Sequence, residues 1–135
     1  MRTLKTAAAN GVTMTGMRSL LIVDDHVGFR SWAREVLAQE GFDVVGEAGD
    51  GRTAIRLTAE LRPEVVLLDI QLPDLDGFAV AERIEQDVAG ETEVVLTSGR
   101  APEDFGGRLT SSRRSFLRKD HLSGASLEAV LEARE

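Results

Sequence analysis

Four short apolar segments of this 135-residue chain each run directly into polar residues, and this recurrence limits the fold more than any other feature. The segments and the residues that follow them are Leu20–Val23 before Asp24-Asp25, Val65–Leu68 before Asp69, Val94–Leu96 before Thr97-Ser98, and Phe116–Arg118 before Lys119. Each reads as a buried strand followed by its loop. In an open parallel sheet the carboxyl ends of the strands share one edge, where ligands bind. If these strands lie side by side, three carboxylates, two hydroxyls and one ammonium group converge on one pocket.

Between these segments, apolar residues recur at helical spacing, so strands and helices alternate as in a series of βαβ units. Val65–Leu68 is apolar on both faces, which predicts a central strand covered on both sides. Further strands are predicted at about 43–48 and 115–117. Helices are predicted over about 27–40 and 52–61, and from near Gly77, Pro102 and Ser123. The result is an α/β fold with five strands and five helices.

Two of these helices carry more specific expectations. The apolar face of the first helix should contain Phe29, Trp32, Ala33, Val36 and Leu37. Gly106-Gly107 interrupts the fourth helix at a cost of about 1 kcal/mol per glycine relative to alanine. We therefore predict that the fourth helix is short or mobile.

The chain length fits one domain, which we place at residues 19–135. Residues 1–18 are expected to form a disordered N-terminal extension, and they lack the apolar stretch of a signal peptide. The net charge of −7 argues against direct binding to nucleic acid or anionic membranes. No apolar run approaches the roughly 20 residues that a membrane span needs. The absence of cysteine fits a cytoplasmic protein.

Asp69 is the candidate nucleophile, because a carboxylate is already ionised at neutral pH and can accept a phosphoryl group as an acyl phosphate. Repulsion between this carboxylate, its acidic neighbours and an anionic donor calls for a cation. Mg²⁺ prefers oxygen ligands, and Mn²⁺ is an alternative. Asp25 and Asp69 should bind the ion directly, Asp24 directly or through water, and the backbone carbonyl of Gln71 could complete the set.

Phosphoryl transfer depends mainly on positioning and on neutralisation of the phosphoryl oxygens. Lys119 would supply a compact positive charge, and Thr97 a hydroxyl donor. Ser98 would supply a backbone N–H, and its small side chain would leave space beside the phosphoryl group.

Each signal alone has a structural alternative. Asp24-Asp25 could cap a helix, Asp69 could be a turn residue, and Lys119 could be a solvated lysine. Other polar residues are expected to be structural or solvated. These are His26, His121 and the pair Arg113-Arg114 as solvated groups, and Asp74 and Asp76 as loop and N-cap groups before the third helix.

Taken together, the motifs resemble the receiver domain of bacterial two-component response regulators. The matching stretches are Val23–His26, Leu68–Gly77, Leu96–Ser98 and Phe116–Lys119. The resemblance covers the chain from Ser19 onward and implies a doubly wound parallel sheet, flavodoxin-like, with strand order 2-1-3-4-5. The opening of the motif is similar to that of receivers that precede a helix-turn-helix output domain.

The resemblance also implies roles for individual residues. Asp69 would be the phosphoacceptor, and Asp24, Asp25 and the Gln71 carbonyl would hold Mg²⁺ with it. Lys119 and Thr97 would contact the phosphoryl group. The donor would be a histidine kinase or a histidine phosphotransfer protein. Movement of Thr97 and inward rotation of Phe116 would switch an output face formed by the fourth helix, fifth strand and fifth helix, through which a homodimer could also form.

The chain departs from many relatives at two positions of this motif. Asp120 follows the lysine where many have proline, and Phe116 stands where many have tyrosine, so only packing can report the switch. A single-domain response regulator is the favoured reading, and a receiver cut from a longer DNA-binding regulator and a pseudo-receiver scaffold are the alternatives. An aspartyl-phosphate phosphatase is disfavoured because Gln71, two residues after the nucleophile, is not an acid. A non-enzymatic signalling module is therefore expected.

Overall fold

The computed structural model describes residues 17–134. Its sheet has five parallel strands in the order β2-β1-β3-β4-β5, which are β1 (Arg18–Val23), β2 (Phe42–Ala48), β3 (Val65–Asp69), β4 (Glu93–Ser98) and β5 (Ser115–Arg118). The α-helices are α1 (Val27–Gln39), α2 (Gly51–Leu61), α3 (Gly77–Asp87), α4 (Arg108–Ser112) and α5 (Gly124–Ala133). The predicted α/β fold and strand order are confirmed. β1 begins two residues earlier than the predicted Leu20, and residues 1–16 of the expected N-terminal extension lie outside the described residues.

The position of β3 in the middle of the sheet explains why its sequence is apolar on both faces. All five residues of β3 are buried. Val65 and Leu67 belong to an apolar cluster with buried residues of α1 and α5, whereas Val66 and Leu68 belong to a second cluster with residues of α2 and α3. Two apolar layers therefore hold β3 in the middle of the sheet, and its carboxyl end is fixed by packing on both sides.

The segment after β4 confirms the prediction of a short fourth helix. A 3₁₀ helix over Pro102–Phe105 ends at Gly106, and α4 has only five residues. Gly106 has a positive φ of 59°, a conformation that glycine adopts without steric cost. The two glycines thus divide the region into two short helical pieces.

Two sequence-based expectations about side chains were wrong. Trp32 is 44% exposed, because it lies at the rim of the apolar face of α1 and packs against Phe29 with ring centroids 5.8 Å apart. Arg114 is not solvated: its side chain is only 15% exposed and donates two hydrogen bonds to Glu85 of α3, at 2.9 and 2.7 Å. This pair joins the start of β5 to α3.

Asp74 links the β3–α3 loop to the start of α2. Its carboxylate accepts hydrogen bonds from the backbone N–H of Gly51, at 2.7 Å, and of Arg52, at 3.1 Å. The hydrogen bond from Gly51 is the main reason that the pKa of Asp74 is lowered. Asp76 caps α3 as predicted, accepting a hydrogen bond from the N–H of Phe78.

Replacing Asp74 with alanine is expected to destabilise the fold, since two N–H groups at the start of α2 lose their acceptor. A carboxylate whose pKa is lower in the folded state stabilises the fold above its unfolded pKa, and this contribution disappears as the pH falls through the folded value. The loss caused by Asp74→Ala should therefore be full at pH 7 and shrink below about pH 4. Urea unfolding at several pH values measures this, with Glu60→Ala on the exposed side of α2 as the control. A difference that did not change with pH would contradict it.

Candidate functional site

The strand register brings the predicted polar residues to one edge of the sheet. The pairs at the carboxyl ends of the strands are Val23–Leu68, Asp69–Thr97 and Ser98–Arg118. Asp24-Asp25 follow the first of these residues, and Lys119 follows the last. The expected convergence of the four strand ends is therefore present in the structure.

Three carboxylates meet at this edge, and we call Asp24, Asp25 and Asp69 the acidic cluster. One oxygen of each, together with a ring nitrogen of His26, lies within 4.8 Å of the others. Asp24 is fully buried and Asp69 is buried, whereas Asp25 is exposed to solvent. The acidic cluster thus has two carboxylates at its base and one at its mouth.

Lys119 neutralises the base of the acidic cluster. Its Nζ lies 2.5 Å from Asp24 Oδ2 and 3.2 Å from Asp69 Oδ2. Burial alone would lower the pKa of Lys119, but the hydrogen bond to Asp24 and the charges of both carboxylates raise it. The ring of Phe29 lies on another side of the ammonium group, with its centroid 4.8 Å from Nζ. Lys119 is therefore held in the charged form, in contact with both buried acids.

Asp69 is in an environment that disfavours its charge. Burial raises its pKa, and the nearby charge of Asp24 acts in the same direction, while the Gln71 N–H and Lys119 oppose them. The N–H of Gln71 donates to Asp69 Oδ1 at 3.0 Å, a contact that the sequence did not predict. Burial is therefore the main reason that the pKa of Asp69 is raised and its charged form disfavoured.

Thr97 and Ser98 are both buried at the end of β4. Ser98 Oγ accepts a hydrogen bond from the N–H of Arg100 at 3.0 Å, and the Thr97 carbonyl accepts one from the N–H of Ile70 at 2.9 Å. The second hydrogen bond joins the end of β4 to the residue that follows Asp69. Thr97 thus adjoins the acidic cluster through the backbone, whereas the hydroxyl of Ser98 contacts the loop that follows β4.

Phe116 is partly buried and belongs to an aromatic row that the sequence did not reveal. Its ring packs edge-on against Phe105 at 6.3 Å, and Phe105 packs against Phe78 at 6.4 Å. Arg108 of α4 lies 4.4 Å above the Phe78 ring and forms an ion pair with Asp76. The aromatic row therefore connects β5 to α3 across the 3₁₀ helix.

Of two residues beside the site, Arg30 was not singled out from the sequence, whereas His26 was expected to be solvated. Arg30 donates a hydrogen bond from Nη1 to the backbone carbonyl of Asp24, at 2.5 Å, and one from Nε to Glu47, at 3.1 Å. His26 is the N-cap residue of α1 and remains exposed, as expected. The N–H of His26 donates to Asp24 Oδ1 at 2.9 Å, but the N-cap position belongs to His26, so neither Asp24 nor Asp25 has the capping role considered for the acidic pair.

The chemistry of the acidic cluster fits Mg²⁺. A hard divalent cation takes carboxylate oxygens and keeps several waters, and the exposed Asp25 leaves a path for both. Asp24 Oδ2 is buried and already lies 2.5 Å from the ammonium group of Lys119, so this oxygen faces a site that holds positive charge. Asp24, Asp25 and Asp69 are therefore the residues that could hold the ion.

Within residues 17–134, no helix has both the length and the apolar content to span a bilayer.

Comparisons with known proteins agree with this geometry. Residues 20–130 match the family model of the response regulator receiver domain. The transcriptional regulatory protein LiaR of Bacillus subtilis is 36% identical over 118 residues, which cover 87% of this chain and 56% of LiaR. The chemotaxis protein CheY of the same organism is 28% identical over 112 residues, which cover 82% of this chain and 92% of CheY.

Among solved structures, the receiver domain of the response regulator NarL from Mycobacterium tuberculosis superposes with a TM-score of 0.75 at 30% identity. That match covers 87% of this chain and 95% of the other. The chain spans about half the length of the first curated relatives, 55% and 48% of two of them. The match over residues 20–130, the strand order and the gathered carboxylates lead to one assignment. The chain belongs to the receiver-domain family of two-component response regulators.

Proposed function

We propose that this receiver domain accepts a phosphoryl group on Asp69 from a phosphohistidine donor, with Mg²⁺ bound, and signals by a conformational change of α4, β5 and α5. The observation that carries the proposal is the contact of Lys119 with both buried acids, Asp24 and Asp69. An ammonium group placed between two carboxylates at a strand edge is suited to receive an additional anionic group.

The reaction assigns one task to each residue. An oxygen of Asp69 attacks phosphorus while the P–N bond of the donor breaks, and the donor imidazole keeps the electron pair and takes a proton from solvent. Lys119 and the Thr97 hydroxyl bind phosphoryl oxygens, and the small Ser98 side chain leaves room for them. Bound Mg²⁺ would offset the negative charge shared by the acidic cluster and the donor. Asp24, Asp25, Asp69 and the Gln71 carbonyl would be its protein ligands.

Phosphorylation would bias a two-state equilibrium. A new dianionic group beside Lys119 and Thr97 competes for the contacts that Lys119 makes with Asp24. Movement of Thr97 would then change the space available to Phe116 at the end of the aromatic row. Because the 3₁₀ helix and α4 are short, the change should be largest there.

The donor would be a histidine kinase or a histidine phosphotransfer protein, and the module would signal rather than turn over a substrate. Two arrangements of the output are proposed. In the first, residues 19–135 act as a stand-alone receiver that binds a separate output protein. The second, a receiver within a longer DNA-binding regulator, is favoured by the length of relatives such as LiaR, of which this chain covers 56%. Phosphorylation-dependent binding to a separate protein, measured with the chain as it stands, would favour the first.

Acetyl phosphate with and without Mg²⁺ tests the proposed chemistry. We expect Mg²⁺-dependent incorporation of one phosphoryl group, located at Asp69 by borohydride reduction and peptide mass spectrometry. Asp69→Asn should show no labelling, and Asp87→Asn at the far end of α3 should label normally. Labelling that persists in Asp69→Asn, or that does not need the metal, would refute the proposal, whereas wild-type protein that takes up no phosphoryl group would favour a pseudo-receiver scaffold.

A further inference from the structure

The guanidinium group of Arg30 holds the backbone of the acidic pair. Nη1 donates to the Asp24 carbonyl at 2.5 Å, and on the other side of the same residue the Asp24 N–H donates to the carbonyl of Ala48 at 3.0 Å. The Asp24 backbone is thus fixed from β2 at the peptide that joins it to Val23 and from α1 at the peptide that joins it to Asp25. Asp25 is the exposed member of the acidic cluster. Because the peptide between Asp24 and Asp25 fixes the position of the Asp25 backbone, it also helps to set the position of the Asp25 carboxylate.

Glu47 of β2 fixes the guanidinium group in turn. One of its oxygens accepts from Arg30 Nε at 3.1 Å, and the other accepts from Arg34 Nη1 at 2.9 Å. Gly49 closes the remaining side, because a Cβ at that position would lie 3.2 Å from Arg30 Nη1. The side chain of Arg30 is 17% exposed, whereas that of Arg34 is 46% exposed. Arg30 is therefore the enclosed partner of Glu47, and Arg34 the outer one.

We infer that Arg30 and Glu47 are positioning residues that set the Asp24–Asp25 segment in the geometry that Mg²⁺ requires. The inference rests on the proposed function. Mg²⁺ demands a near-ideal octahedron, so a small displacement of one ligand lowers affinity strongly. Residues that orient metal ligands typically change metal affinity by 10- to 100-fold when they are replaced.

The charge of Arg30 alone would have the opposite effect. A cation beside the acidic cluster repels Mg²⁺, so removing Arg30 without any loss of positioning should tighten metal binding. Removing the charge of Glu47 should weaken it. Arg30→Gln and Glu47→Gln therefore change the charge in opposite directions, and weaker binding in both identifies positioning as the cause. Arg34→Gln makes the same charge change as Arg30→Gln on the same acidic partner, and it is the matched control.

Isothermal titration calorimetry with Mg²⁺ provides the first measurement. We expect about 10-fold weaker binding in Arg30→Gln and Glu47→Gln, and a change of no more than about twofold in Arg34→Gln. Hydrogen exchange in EDTA provides a readout without metal. The amides at 24–26 should exchange faster in Arg30→Gln than in Arg34→Gln. With acetyl phosphate, the Mg²⁺ concentration for half-maximal labelling should rise in Arg30→Gln, while the rate at saturating Mg²⁺ stays near that of the wild type.

The possible results distinguish the positioning role of Arg30 from the proposed phosphorylation of the domain. Arg30→Gln that binds Mg²⁺ as tightly as Arg34→Gln, or tighter, overturns the positioning role and leaves the proposed function intact. Unchanged hydrogen exchange at 24–26 in Arg30→Gln overturns it as well. Wild-type protein that binds no Mg²⁺ overturns the proposed function together with this inference. Urea unfolding of every variant confirms that the affinities refer to folded protein.

Discussion

Lys119→Gln is expected to lower the rate of phosphorylation by about 100-fold and to destabilise the metal-free protein by about 3 kcal/mol. The rate falls because one positive donor to the phosphoryl oxygens is removed. The stability falls because Asp24 is fully buried and Asp69 nearly so, and both would lose the cation that lies 2.5 and 3.2 Å from them. Removing one partner of a buried ion pair leaves an uncompensated charge, which costs more than the pair itself contributes.

Added Mg²⁺ should restore much of this stability, because a divalent ion replaces the lost positive charge among the same carboxylates. The midpoint of urea unfolding, with EDTA and with Mg²⁺, should therefore depend on the metal more strongly in Lys119→Gln than in the wild type. Arg118→Gln is the matched control, since the neighbouring Arg118 pairs with the exposed Asp120. Equal effects of Mg²⁺ on Lys119→Gln and the wild type would show that Lys119 does not neutralise the acidic cluster.

Gly77→Ala is expected to destabilise the protein by about 3 kcal/mol and to slow phosphorylation. A Cβ at this position would lie 2.5 Å from the Ile70 Cα, 2.6 Å from the Ile70 carbonyl oxygen and 2.7 Å from the carbonyl oxygen of Asp69. All three atoms belong to the backbone, so no side-chain rotation relieves the overlap, and the start of α3 must move away from the end of β3. The Asp69 backbone would move with it.

Gly28→Ala gives the comparison, because Gly28 occupies the first turn of α1 and its added Cβ would meet nothing within 4 Å. That substitution should be neutral or stabilising by about 0.4–1 kcal/mol, as expected for alanine in an unstrained helix. Chemical denaturation and the rate of labelling by acetyl phosphate measure both variants. Gly77→Ala with the stability of Gly28→Ala would mean that α3 is not packed against this strand end as closely as the structure indicates.

The fold was largely predictable because local sequence patterns indicate most of its strands, helices and helix ends. The double-faced apolar run Val65–Leu68, the glycine pair at 106–107 and the N-cap Ser123 each correspond to a feature of the structure, and Ser123 forms a capping box with Ser126. The strand order, by contrast, could not be predicted from local patterns. Periodicity does not determine which strands are neighbours, and the order followed from the resemblance to receiver domains.

The residues that come together at the candidate site were predictable from the sequence, but the contacts that hold them in place were not. Asp24, Asp25, Asp69 and Lys119 follow strand ends, and topology alone brings such positions together. The contacts of Asp74 with α2, of Arg30 with Glu47 and of Arg114 with Glu85 join residues 17 to 29 positions apart. Such contacts depend on the final packing of helices against the sheet, and no local pattern encodes them. The same limit explains Trp32, since helical spacing does not separate the centre of an apolar face from its rim.

The division of the segment after β4 into two short helical pieces has a consequence for the proposed output face. Few main-chain hydrogen bonds need to break for the 3₁₀ helix and α4 to change shape, and two glycines already supply the freedom at their junction. A binding protein can therefore change the backbone conformation of this surface at little energetic cost. Such a surface should accept partners of unlike architecture, with the choice among them made by the aromatic and arginine contacts that survive the remodelling.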